Sequence, residues 1–241
     1  CDIMDKTFEG SEFMNATKRP LWILRVLIIG LLALLIQVPP VILLFIRKYS
    51  TVPAALALLI VIYGIVFGGI ILWARHLFIK YRHWQPSIQG LGQHLKWIIG
   101  GWLAVILGEQ VLNLLNYLIY HQTETANNQL IGRLLSSNQV VLIIMSFAAV
   151  VLNPIAEELI FRGVLMNFFF KREAFWLPIL LSGLLFTLEH SSTTFISYLI
   201  YFYLGAVFAF IYRKTGNITN TIWLHAINNL VALLALLGTI G

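Results

Sequence analysis

Residues 153–162 read Asn-Pro-Ile-Ala-Glu-Glu-Leu-Ile-Phe-Arg. Apolar sequence flanks this decapeptide on both sides, residues 140–152 before it and 163–170 after it. Two adjacent carboxylates and a guanidinium therefore sit inside what otherwise has the composition of a membrane helix. Charges at that depth cost at least ~2.5 kcal/mol each on insertion scales, and are retained where they pair, line a wet cavity or do chemistry. The rest of the chain can be read as a frame that holds this stretch near two histidines downstream, His190 and His225.

The frame is apolar throughout. Of 241 residues, 59% are hydrophobic and only 11% charged, and the mean hydropathy is +0.86. Soluble domains carry about 25% charged residues. The apolar runs are about 20 residues long, which suits helices crossing ~30 Å of hydrocarbon, whereas barrel strands would be alternating segments of about 10. An all-α, polytopic transmembrane bundle of about seven spans follows, with a polar site in its interior. The +6 formal charge lies mainly beside the spans, where it sets topology, and is not read as a nucleic-acid surface. A single cysteine, Cys1, excludes an intrachain disulfide and a cysteine metal cluster.

Along the chain, residues 1–17 are polar and hold Asp2, Asp5, Glu9 and Glu12. They are expected to be a tail or a non-native remnant, with Met14 a plausible start. Spans are expected at about 21–46, interrupted by Pro39 and Pro40, at 53–74, and at 97–119. Residues 75–96 form a basic interfacial segment and 121–137 a polar loop. The central helix covers about 138–170, kinked or broken at Asn153-Pro154 because proline removes a hydrogen bond. Three more spans fall at about 174–190, 194–212 and 218–238. The chain thus divides into a three-span region, 18–137, and a four-span core, 138–241. Gly64 and Gly68 have the spacing that lets helix backbones approach closely. Seven spans with a cytoplasmic N-terminus put Lys18, Arg19, Arg75, Lys80, Arg82, Lys96, Lys171, Arg172, Arg213 and Lys214 on the inside, against Arg47, Lys48 and Arg133 outside, as the positive-inside rule demands.

On a helix, Glu158 and Arg162 are four apart and face each other, while Glu157 lies about 100° round the axis. Arg162 can then neutralise Glu158 and leave Glu157 directed into a cavity as base or ligand. The bland alternative is a buried ion pair that only fixes packing. His190 closes the run Phe186-Thr-Leu-Glu-His190, and His225 shares a helix face with Asn229. A Glu, two His and an Asn on three separate spans supply what a hydrolytic site needs: a base, imidazoles that hold a metal or orient water, and an amide donor. Glu109, Gln110, Asn113 and Asn116 could line the same cavity or bond between helices. Glu189 could bond an imidazole or sit at the interface.

Glu157-Glu158-x-x-x-Arg162, Phe186-x-x-x-His190 and His225-x-x-x-Asn229, in this order on successive apolar helices, resemble the three motifs of the CPBP (Abi) family of CAAX-processing and bacteriocin-processing intramembrane endopeptidases, over about residues 138–238. The resemblance implies peptide-bond hydrolysis inside a membrane. It assigns water activation to Glu157, assistance to His190, and the last two roles to His225 and Asn229, with Glu158, Arg162 and Phe186 in support. Two mechanisms fit. Glu157, His190 and His225 could hold zinc with an open position for water. Alternatively Glu157 and His190 deprotonate water while His225 and Asn229 donate to the oxyanion. The substrate would be a membrane-associated peptide or lipidated protein tail, and the location an integral, bacterial plasma membrane. Two rivals stand beside this reading: a scaffold or bacteriocin self-immunity protein with the same fold, and a proton-coupled transporter built on membrane Glu and His.

Overall fold

A computed structural model describes residues 22–82 and 90–240 of the chain; the polar segment 1–17 lies outside them. Among the described residues every regular element is helical. Helix α1 (Trp22–Ile36) and α2 (Val38–Lys48) form the first span, hinged at Gln37. Pro39 and Pro40 fall in the first turn of α2, where a missing N–H costs nothing. Helix α3 (Pro53–Tyr81) likewise begins on a proline, and α4 (Leu91–Tyr120) is a single long rod. Both extend beyond the expected spans, so much of the basic segment 75–96 is helix; its residues 83–89 are outside the described set. The polar loop expected at 121–137 contains a short helix, α5 (Ala126–Leu135), capped by the Thr125 hydroxyl.

The central helix α6 (Gln139–Phe169) is capped by Asn138 and runs through the Pro154 position without a break. It does so by widening into π-type turns at Ala148–Leu152 and Leu159–Val164, on either side of the Asn153–Glu158 segment. The expected break at Asn153-Pro154 is therefore a change of helical pitch. Such turns let a proline sit within a continuous helix, and recur at functional sites.

The fifth expected span is shorter than read from sequence. Helix α7 (Trp176–Leu188) has 13 residues, about 20 Å at 1.5 Å per residue, less than the hydrocarbon thickness. Helix α8 (Phe195–Thr215), started by a Thr194–Ser197 capping box, returns antiparallel to it, and α9 (Ile218–Ile240) completes the bundle. Among the described residues, six helices or helix pairs are long and apolar enough to cross a membrane. The late start of α7 also brings His190 and Glu157 to a similar depth. His190 lies about 21 Å along from Trp176, and Glu157 about 18 Å back from Phe169.

Helix α8 is the inner strut, packed along α7 on one side and α4 on the other. The α7–α8 crossing depends on glycine. A Cβ added to Gly205 would stand 2.9 Å from the Gly183 Cα, and one on Gly183 would stand 3.0 Å from the Phe202 carbonyl oxygen. The Gly64/Gly68 pair, expected to mark a close crossing, makes none: an added Cβ at either meets nothing within 4 Å. Large apolar residues on α3 and α4, among them Ile65, Leu72 and Leu107, face outward, as a lipid-facing surface requires.

One end of the bundle is basic. There Arg213 donates to the carbonyls of Lys171, Arg172 and Ala174, and Arg25 donates to the Phe168 carbonyl. The ends of α6 and α8 and the start of α1 therefore lie together. His94 and Asn220 join the starts of α4 and α9, with 2.6 Å between Nδ1 and Oδ1. At the other end, the loop after α7 is fastened to α4 and α5: Thr194 donates to Asn116 (2.6 Å) and the Asn127 N–H donates to the Ser191 carbonyl (3.1 Å).

Candidate active site

Arg162 and Glu158 are completely buried and paired at 2.9 Å, one helical turn apart on α6. The other terminal nitrogen of Arg162 donates to the Gly205 carbonyl at 2.8 Å, an oxygen laid open by the same glycine that admits α7. The guanidinium lies 4.7 Å from the Phe186 ring centroid and 5.4 Å from that of Phe208. Its charge is thus offset by a carboxylate and two ring faces in place of water.

Glu158 has a second partner. Its Oε1 accepts from His225 Nδ1 at 3.0 Å. With Oε1 accepting from both Arg162 and His225, Nδ1 carries the proton and Nε2 is left open. That open nitrogen stands 3.9 Å from Glu157 Oε2. The two adjacent carboxylates were expected to point apart; instead they approach opposite nitrogens of one imidazole. The π-type turn that begins at Leu159 immediately follows them.

His190 is tethered in the same manner. Its Nδ1 donates to the Phe186 carbonyl at 2.9 Å, again leaving Nε2 open, and its ring stacks on Tyr201 with 4.4 Å between centroids. The Tyr201 hydroxyl is in turn fixed to Thr125 Oγ1 at 2.7 Å. Phe186 is the post around which the site is assembled: its ring touches His190 (4.6 Å), His225 (5.7 Å), Phe161 and Phe208. The Phe186-x-x-x-His190 spacing therefore has a mechanical reason. One turn of helix carries both the carbonyl that orients the imidazole and the ring that packs on it.

Glu157, His190, His225 and Asn229 all line one cavity of about 280 Å³. Its wall also includes Glu189, Glu109, Asn113 and Asn228; Glu109 and Asn228 are hydrogen-bonded to each other. Glu157 Oε2 is a buried acceptor without a hydrogen-bond partner. Asn229 donates its amide to the Ala149 carbonyl at 2.8 Å. Glu189 does not bond an imidazole; it accepts from Gln37 at the α1–α2 hinge. Asn116 serves the loop after α7. Sequence reasoning missed Tyr201 and Phe208, the rings stacked on His190 and His225. Aromatic residues are ordinary in spans, and nothing in their local sequence distinguished them.

The donor types fit zinc. Two imidazoles with Nδ1 tethered and Nε2 open, beside an unpartnered carboxylate oxygen, are the donor types of such a centre. Their arrangement is not: among the described residues no group of three or more His, Cys, Asp or Glu side chains is placed to hold a metal ion. No chemical step below is routed through a metal.

Comparison with known proteins agrees with the class this geometry defines, a polytopic helical membrane protein with an interior Glu/His site. The family described as "Type II CAAX prenyl endopeptidase Rce1-like" matches residues 139–231. The similarity to the CPBP family read from three motifs is thereby shown for this region. "Putative membrane peptidase YdiL" of Bacillus subtilis is 25% identical over 140 residues, 58% of this chain and 55% of that protein. An "Uncharacterized 24.3 kDa protein" of Escherichia coli is 24% identical over 52% of this chain and 57% of its own length. "UPF0177 protein YbdI" of Lactococcus lactis is 29% identical over 71% of this chain and 93% of its own length. The match thus spans little more than half of the first two relatives. No solved structure matches.

Proposed function

We propose that this chain is an intramembrane endopeptidase that hydrolyses a peptide bond in a membrane-associated peptide or lipidated protein tail. The observation that carries the proposal is the gap between Glu157 Oε2 and His225 Nε2. At 3.9 Å it is too long for a direct hydrogen bond. A water about 2.8 Å from each atom fits beside it, and polar contacts longer than ~3.5 Å are commonly bridged in this way. Glu157 is the acceptor for that water's proton. His190, with Nδ1 committed to Phe186, offers Nε2 to the same cavity as the assisting base. Glu158 fixes the imidazole of His225, so that the ring can donate from Nε2 only once it has taken up a second proton, and Asn229 supplies an amide donor to the developing oxyanion. Arg162 offsets the charge of Glu158, and Phe186 positions both rings.

Residues 138–241 form the catalytic core in this reading, and residues 18–137 enclose its cavity from α1 to α5. The N-terminus is cytoplasmic and the membrane is a bacterial plasma membrane. If zinc is the cofactor, Glu157 and the Nε2 atoms of His190 and His225 are its ligands. Elemental analysis of wild type and of His190→Ala/His225→Ala checks this: one zinc per chain that disappears in the double variant would establish it.

The test of the proposal uses protein reconstituted in liposomes with a pool of membrane-anchored peptides, prenylated and unprenylated, and reads the products by mass spectrometry. Wild type is expected to release discrete fragments, and Glu157→Gln none. A bacteriocin-immunity or scaffold role takes the lead if neither protein cleaves and protection of cells survives Glu157→Ala and His225→Ala.

A further inference from the structure

Asn229 does not bond to a side chain; it bonds to a backbone carbonyl of the central helix, and Pro154 explains why that carbonyl needs it. Ala149 lies in the first π-type turn of α6. At the end of this turn the N–H reaches back five residues: the Asn153 N–H donates to the Ala148 carbonyl. The next donor in the series is residue 154, whose partner is the Ala149 carbonyl. Residue 154 is proline and has no N–H. A carbonyl left unpaired inside a membrane bundle is costly, and the Asn229 amide, arriving from α9, occupies it at 2.8 Å.

We infer that Pro154 is a positioning residue: by withholding a backbone hydrogen from the Ala149 carbonyl it reserves that oxygen for Asn229, tying α9 to α6 about two turns before Glu157. The tie has two consequences. The amide is oriented with its nitrogen on the carbonyl, and one of its two hydrogens remains for the cavity that Asn229 lines. In addition, α9 carries His225 one turn before Asn229, so the same bond sets the height of the His225 ring against Glu157 and Glu158. The tie itself is independent of the protease reading; only its catalytic consequence rests on that reading.

A double-mutant cycle separates the two. Thermal stability is measured for the full chain in detergent, as wild type, Pro154→Ala, Asn229→Ala and the double variant. In the Pro154→Ala background a backbone N–H is available to Ala149. Asn229→Ala is therefore expected to lower the Tm by several degrees in the wild-type background and hardly at all beside Pro154→Ala. Asn229→Leu, a side chain of similar size without the donor, should behave as Asn229→Ala does, which distinguishes lost hydrogen bonding from lost packing. Equal losses in both backgrounds would overturn the inference. If the single Asn229 variants do not accumulate, their recovery beside Pro154→Ala supports it, and their absence there overturns it. In the liposome assay, Pro154→Ala is expected to lower kcat severalfold with KM unchanged, because the amide is released from its anchor. Coupling in Tm with kcat untouched would retain the tie and remove its catalytic role. Coupling in Tm in a protein that cleaves nothing would leave the tie standing and count against the protease reading alone.

Discussion

Arg162 shows how a charge is kept inside this bundle. It is bound by the Glu158 carboxylate, the Gly205 carbonyl and two aromatic faces, with no exposure to solvent. Removing one partner of such a pair is far costlier than removing both, because the survivor remains charged and unpaired, at about 3–5 kcal/mol. Arg162→Met is therefore expected to destabilise by about that amount, and Glu158→Gln/Arg162→Met by clearly less, as checked by chemical denaturation in detergent. The Glu158–Arg162 contact was legible in the sequence from its four-residue spacing. The turn of Glu157 into the cavity was legible as well; its approach to the imidazole that Glu158 holds was not, because an ideal helix turns adjacent residues apart by about 100°. Asn229 was legible as a cavity residue but its partner was not. That partner is a carbonyl stranded by a proline 75 positions earlier, and sequence spacing carries no sign of a π-type turn.

At the scale of elements, the α7–α8 hairpin delivers His190 to the site and rests on two glycines in contact. A side chain at Gly205 would collide with the α7 backbone, and overpacking of this kind costs about 1–3 kcal/mol or more. Gly205→Leu is expected to lower the Tm and to abolish cleavage together, since it displaces α7 and opens the Gly205 carbonyl–Arg162 bond. Gly64→Ala and Gly68→Ala, where an added Cβ meets nothing, should leave the Tm unchanged. The number and order of apolar segments could be read from hydropathy. Their ends could not. Helix α5 was taken for a loop because its sequence, Ala-Asn-Asn-Gln-Leu-Ile-Gly-Arg-Leu-Leu, mixes amides with a short apolar edge. Helix α7 was taken for a full span because its apolar run continues into residues that do not coil.

Across the whole molecule, the basic end and the His190 end are opposite faces of the bundle, joined by the long rods α3, α4, α6 and α9. Arg213 bonded to Lys171 and Arg172 places the two basic loops together, so α7 and α8 leave and return to the same face even though α7 is short. Single cysteines at Lys171 and Lys214 are expected to react with an impermeant thiol reagent from one side of a sealed vesicle, and one at Glu124 from the other; labelling of Lys171 and Lys214 from different sides would contradict the arrangement. In the proposed mechanism one water sits between Glu157 and His225, with His190 as the assisting base. Its most direct test is a single turnover in ¹⁸O-labelled water on a cleaved membrane peptide. The account predicts one ¹⁸O atom in the new carboxyl terminus with wild type, a rate at least about 100-fold lower for Glu157→Gln, and an unchanged Tm for that variant. Cleavage by Glu157→Gln at the wild-type rate would contradict it.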